Sequence, residues 1–159
     1  MLRPATVADF SFVYDLYFLP ENNPYLLYEP MSKDAFEPIF AAQLNEGVKY
    51  IFEINGHAVG MVKISGYTHR MAHIAYIGAV AIHPKYAGHG LGLQLMHHTI
   101  HFCKSLGYTR LELDVDDDNP KAKRLYEKAG FETEGLLRNY SNRAAAGQLV
   151  HNYRMGILL

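Results

Sequence analysis

A chain of 159 residues is long enough for one domain that buries about two thirds of its unfolded surface, and residues 1–159 are read as that single domain. Its hydrophobic fraction of 49% and charged fraction of 19% exclude a disordered or low-complexity protein. The net charge of −1 gives no field that would draw nucleic acid or an anionic membrane, so neither is expected as a partner.

The chain opens Met1-Leu2-Arg3-Pro4 without a long apolar run, which predicts neither a signal peptide nor a membrane span. Leu2 to Ala5 reads as a short strand. Thr6 can cap a helix on which Phe10, Val13, Tyr14 and Tyr17 recur at helical spacing and which stops before Pro20. A loop from Pro20 to Pro24 leads into the aromatic stretch Tyr25 to Tyr28. A second helix begins near Ser32, with Pro38 inside it and Ile39, Phe40 and Leu44 on its apolar face. From Val48 the period shortens to two, Asn55-Gly56 signals a hairpin, and Ala58 to Ile64 forms the return strand. Ala72 to Ile82 follows as a third antiparallel strand.

That third strand ends in Val80-Ala81-Ile82-His83-Pro84-Lys85-Tyr86-Ala87-Gly88-His89-Gly90-Leu91-Gly92, a strand, a glycine turn and a helix start. The first N–H groups of a helix lack partners inside it and carry the positive end of its dipole. Gly88, Gly90 and Gly92 therefore form a candidate anion cradle, or simply the turn that such a junction needs. The following helix places Leu91, Leu95, Phe102 and Leu106 on one side with Cys103 near its edge. Gln94, His97, His98, His101 and Lys104 fall on the other. His97 and His101 have a metal pair's spacing, but no third ligand completes a motif, so no metal is expected. A single cysteine cannot form an internal disulfide, which suits a reducing cytoplasm.

Leu111, Leu113 and Val115 alternate with Glu112, Asp114 and Asp116 in the next strand. Pro120 opens a helix running to about Lys128, and Gly130 closes it. Phe131 to Leu137 and Leu149 to Leu158 read as strands joined by a polar loop containing Asn139 to Gly147. Strands interspersed with helices make the class α/β or α+β.

Three blocks, Val80 to Gly92, Leu113 to Asn119, and Ala122-Lys123-Arg124-Leu125-Tyr126-Glu127-Lys128-Ala129-Gly130-Phe131, together resemble the GNAT superfamily of N-acetyltransferases. The last is very close to that family's A-x-x-L-Y-x-x-x-G-F signature. The resemblance implies a mixed, mostly antiparallel central sheet of about six to seven strands flanked by about four helices. It implies acetyl-CoA as co-substrate and a primary amine, on a small molecule or an amino acid, as acceptor. Glu134 to Tyr140 resembles the branch of bacterial free-amino-acid and phosphinothricin-type acetyltransferases. A peptide N-terminal acetyltransferase and a CoA-binding module without turnover are the alternatives. Homodimers are common in the family.

By the same resemblance, Val80, Ala81 and Ile82 would run beside the pantetheine arm. The main chain of Ala87, Gly88, His89, Gly90, Leu91 and Gly92 would hold the pyrophosphate. The family motif has Gln or Arg where Ala87 stands, so one side-chain donor is lost. Asn119 would contact pantetheine, or simply cap its helix, and Lys123 and Lys128 would meet CoA phosphates, or stand as solvated helix charges. Tyr126 would protonate the leaving sulfur. Asp114, where the ribosomal-protein N-terminal acetyltransferases carry glutamate, is the candidate base, acting through a bridging water, or else a solvated strand acid. Tyr25 to Tyr28 and Asn139 to Tyr140 would line the acceptor side. A dinucleotide-binding G-x-G-x-x-G fails because Leu93 stands where its third glycine would fall, and no Gly-Lys-Ser or Gly-Lys-Thr follows the turn as in a P-loop.

Overall fold

Seven strands form one sheet in the order β1-β2-β3-β4-β5-β7-β6 in the computed structural model, which describes residues 1–159. They are β1 (Leu2–Pro4), β2 (Lys49–Ile54), β3 (His57–Gly66), β4 (Ile74–Ile82), β5 (Arg110–Asp116), β6 (Glu132–Arg143) and β7 (Gln148–Leu158). Four α-helices accompany them: α1 (Phe10–Phe18), α2 (Lys33–Asn45), α3 (Leu91–Ser105) and α4 (Pro120–Lys128). All strand pairs are antiparallel except β4 with β5. No helix is long and apolar enough to cross a membrane.

Local chemistry sets most boundaries. Thr6 closes a capping box with Asp9 over a 3-10 turn that leads into α1. The Ser32 hydroxyl accepts from the Ala35 N–H at the start of α2, which runs on through Pro38. Asn55 and Gly56 take the positive φ values of 51° and 76° that a tight two-residue hairpin needs.

The sheet has a core on each face. Phe52, Val62, Ile77, Leu95, Leu113 and Met155 belong to the one beneath α3 and α4. Val13, Tyr17, Phe36, Ile51, Met61 and Ala81 belong to the one beneath α1 and α2. The fully buried stripe of α3 is Leu95, Met96, Thr99 and Cys103, while Leu106 is 55% exposed. Leu106 lies one residue past the last helical turn, so periodicity carried the apolar face too far and placed Cys103 at its edge instead of its centre.

The segment expected as a loop from Asn139 to Gly147 is mostly strand. β6 continues to Arg143, with a register break between Leu137 and Ser141 where Asn139 takes φ 51°. Only Ala144–Ala146 and Gly147 form the turn into β7. As an edge strand exposed on both faces, β6 can be polar throughout and lacks the alternation that marks half-buried strands.

Candidate active site

The site begins with one extra residue in β4. Met61 pairs with Ala81 and Lys63 with Gly78, so Ala79 and Val80 stand opposite Val62 alone. Ala79 takes φ 47°, a conformation that costs an L-residue roughly 1–2 kcal/mol. The bulge bends the strand and reverses its facing: Ala75 and Ile77 pack toward α3 and α4 before it, and Val80 and Ile82 after it.

Below the bulge, β4 and β5 pair only from Ile74 to Tyr76 with Arg110 to Glu112. From there they separate, so the main chain of Ile77 to Ile82 has a strand partner only on the β3 side. A wedge opens inside the sheet at the carboxyl ends of two parallel strands, where open α/β sheets place ligands. Its unpaired backbone edge suits an extended chain with amide groups.

The glycine turn sits at the mouth of this wedge. His83 Nδ1 accepts from the Lys85 N–H at 3.2 Å and starts a 3-10 turn over Pro84–Tyr86. Gly88 and Gly90 have φ of 84° and 70°, and a Cβ on either would meet nothing within 4 Å. Gly92 serves packing, because a Cβ there would stand 3.2 Å from a Leu125 methyl of α4. No backbone acceptor takes the consecutive N–H groups of Gly88 to Leu93. They form a row of donors without backbone partners at the positive end of a 15-residue helix, which fits a pyrophosphate.

Tyr126 of α4 is 8% exposed and belongs to the same core as Val80 of β4 and Val115 of β5. Burial, with the Asp116 charge adding to it, pushes its hydroxyl well above its ordinary value, so the phenol stays protonated. The side-chain oxygen of Asn119 caps α4 by accepting from the Ala122 N–H at 3.1 Å. Lys123 is engaged within its own surroundings: its Nζ reaches Glu127 at 2.6 Å and lies 5.1 Å from the centre of the Tyr153 ring.

The opposite face of β5 carries Glu112, Asp114 and Asp116 beneath arginines from β7 and β6. Arg154 donates to Asp114 at 2.5 and 3.1 Å and to Glu112 at 3.0 Å. The Tyr76 hydroxyl donates to Asp114 at 3.2 Å, and that of Tyr67 to Glu112 at 2.8 Å. Asp114 is thus no solvated strand acid, since its side chain is 5% exposed and three donors occupy it. Arg143 binds Asp116 and Asp118 and lies 5.3 Å from the centre of the Tyr25 ring. The Ala145 N–H reaches Glu29 at 3.4 Å, so the β6–β7 turn and the α1–α2 segment meet. No group of three or more His, Cys, Asp or Glu converges as a metal site.

Residues 10–131 match the family model described as "Acetyltransferase (GNAT) family". The chain belongs to the GNAT family. It is 29% identical over 158 residues to the L-amino acid N-acetyltransferase AaaT of Escherichia coli, covering 98% of this chain and 95% of that one. A Bacillus subtilis protein, named as a candidate ribosomal-protein bS18-alanine N-acetyltransferase, is 38% identical over 66 residues. That match covers 42% of this chain and only 44% of the relative. Among solved structures, a spermidine N-acetyltransferase from Vibrio cholerae, in complex with CoA and spermine, is 26% identical. Its TM-score is 0.83, with 99% and 94% of the two chains covered.

The GNAT fold explains why sequence motifs located one half of this site and not the other. The glycine turn, Asp114 and Tyr126 fall in the three quoted blocks, whereas the β4–β5 separation and Tyr67, Tyr76, Arg143 and Arg154 belong to no motif. Tyr76 and Arg154 alternate with core residues on β4 and β7, and that inward-outward register was the available signal.

Proposed function

We propose that this GNAT protein transfers the acetyl group of acetyl-CoA to the primary amine of a small molecule or amino acid, by direct attack in a ternary complex. The observation that carries the reading is the wedge between β4 and β5, with the unpaired N–H groups of Gly88 to Leu93 at its mouth. Likeness to an amino-acid acetyltransferase over nearly the whole chain supports the acceptor class. The CoA-containing Vibrio cholerae structure supports the co-substrate.

Acetyl-CoA supplies an acetyl group on a thioester, which an uncharged amine can attack. The main chain of Ala87 to Gly92 holds the pyrophosphate without help from a side chain at Ala87, and Asn119, whose side-chain oxygen caps α4, contacts the pantetheine through its amide N–H groups. Beyond the bulge, a main-chain N–H near Val80 donates to the thioester oxygen as it gains charge, a contact worth roughly 3–4 kcal/mol where one such donor has been removed. Tyr126 gives its proton to the departing sulfur and recovers one from water. The amine's proton leaves through water, since the donors around Asp114 leave that carboxylate little capacity as a base.

Lys123, paired with Glu127, contributes only a general positive charge. The lone cysteine suits the cytoplasm as the working compartment. Incubating the protein with acetyl-CoA and a panel of amino acids, polyamines and short peptides tests the reading. Release of CoA with acetylation of an amine is expected; acetyl-CoA binding without acetylation of any amine would favour a CoA-binding module.

A further inference from the structure

Acetyl transfer requires an uncharged nitrogen whose lone pair points at the thioester carbon, so something must orient the amine. On the α3–α4 side, Val80, Leu125 and Tyr126 belong to one apolar core, whereas the opposite face of β5 carries the polar cluster of Glu112, Asp114 and Arg154. The acceptor therefore approaches from the other face. There Tyr76 stands on the last rung of β4 that pairs with β5, immediately below the separation. Its ring lies against the main chain of the next residue on that face, because a Cβ on Gly78 would be 3.2 Å from Tyr76 Cε1. The ring thus extends toward the bulge that presents the thioester.

The hydroxyl of Tyr76 has a fixed polarity. It donates to Asp114 Oδ2 at 3.2 Å, and Arg154 holds Asp114 through both carboxylate oxygens. With its proton committed, the phenolic oxygen can only accept from a further partner. We propose that Tyr76 is the catalytic residue that orients the acceptor, its oxygen accepting an N–H of the amine and aiming the nitrogen lone pair at the thioester. Asp114 is then a positioning residue that works through Tyr76, and Arg154 fixes Asp114. This inference rests on the transferase reading above and specifies its acceptor side.

The proton count closes. As the N–C bond forms and the C–S bond breaks, the sulfur takes the Tyr126 proton, the nitrogen gives one to water, and water restores Tyr126. Tyr76 keeps its own proton throughout. Burial, followed by the charge and hydrogen bond of Asp114, holds that phenol well above its ordinary value, consistent with an acceptor that does not ionise.

Tyr76→Phe keeps the ring against Gly78 and removes only the oxygen. Expected is a fall of about tenfold to a hundredfold in kcat/KM for the amine, with acetyl-CoA affinity by calorimetry and thermal stability close to wild type. Asp114→Asn should lower activity in the wild-type background and add little in Tyr76→Phe, because the two act as one unit. Tyr76→Phe turnover within about twofold of wild type would overturn the proposal, as would full additivity of the two substitutions. A wild-type protein that acetylates no amine would instead overturn the transferase reading on which the proposal rests.

Discussion

Arg154 and Asp114 face each other at directly paired positions of β7 and β5, and the guanidinium grips both oxygens of the carboxylate while its remaining nitrogen reaches Glu112. One cation therefore separates two carboxylates that lie two residues apart on the same face of one strand. Their side chains are 5% and 11% exposed, too little for water to replace the arginine. Arg154→Met should destabilise the protein by about 2–4 kcal/mol at pH 7, and Arg154→Lys should recover only part of this, having no planar fork. Urea denaturation of the two variants checks this; an unchanged midpoint in Arg154→Met would refute it.

Tyr126 is assigned a proton, not a packing role, in turnover. Tyr126→Phe leaves the ring in its core position and should lower kcat by about 10²–10⁴ with acetyl-CoA affinity retained. Because burial and Asp116 raise its hydroxyl well above its ordinary value, wild-type kcat should show no basic limb from this tyrosine below about pH 10. Normal turnover of the variant across pH would remove Tyr126 from the chemistry.

The glycine turn permits a matched comparison. Gly88 has φ 84° with open space where a Cβ would go, so Asn and Asp there carry similar backbone strain and differ in charge. Gly88→Asp should bind CoA at least about tenfold more weakly than Gly88→Asn, a difference of about 1.4 kcal/mol, while the two melt at similar temperatures. Equal CoA affinities in calorimetry would place the pyrophosphate elsewhere.

Lys49 lies apart from the wedge, 1% exposed, its Nζ donating to the Tyr17 hydroxyl at 2.8 Å with no carboxylate bonded to it. Burial, with the Lys63 charge adding to it, lowers this amine to about 7 from an ordinary 10.5. Between those values the unfolded chain binds more protons, so stability should rise with pH, by up to about 1.4 kcal/mol per unit. Below pH 7 the gain is absent. The window closes near pH 9, where Cys103, raised by burial to about 12, begins to act with the opposite sign. Urea titrations from pH 7 to 9 should show a steeper rise for wild type than for Lys49→Met; parallel slopes would contradict this.

The succession of strands and helices along the chain, the helix starts at Ser32 and Pro120, and the glycine junction were legible because each has a local cause in hydrophobic period, cap or turn. The wedge was not. It depends on Ala79 at positive φ, a conformation that alanine does not advertise, and on two strands that pair for three rungs and then part. The polar run after Leu137 hid a strand because an exposed edge has no buried face to impose alternation. Asp114 was found as a carboxylate in the right strand, but its environment was set by Arg154, forty residues along the chain and adjacent only through β5–β7 pairing. Side chains tied to backbone motifs could be read from sequence; those whose role depends on a cross-strand partner could not.

The proposed role of the wedge between β4 and β5 is to present an acetyl thioester to an amine. Mass spectrometry of an amine panel incubated with acetyl-CoA, with and without the protein, tests it most directly. The prediction is protein-dependent gain of one acetyl group on at least one primary amine, with stoichiometric release of CoA. Acetyl-CoA bound at the glycine turn, with every amine recovered unmodified, would contradict it.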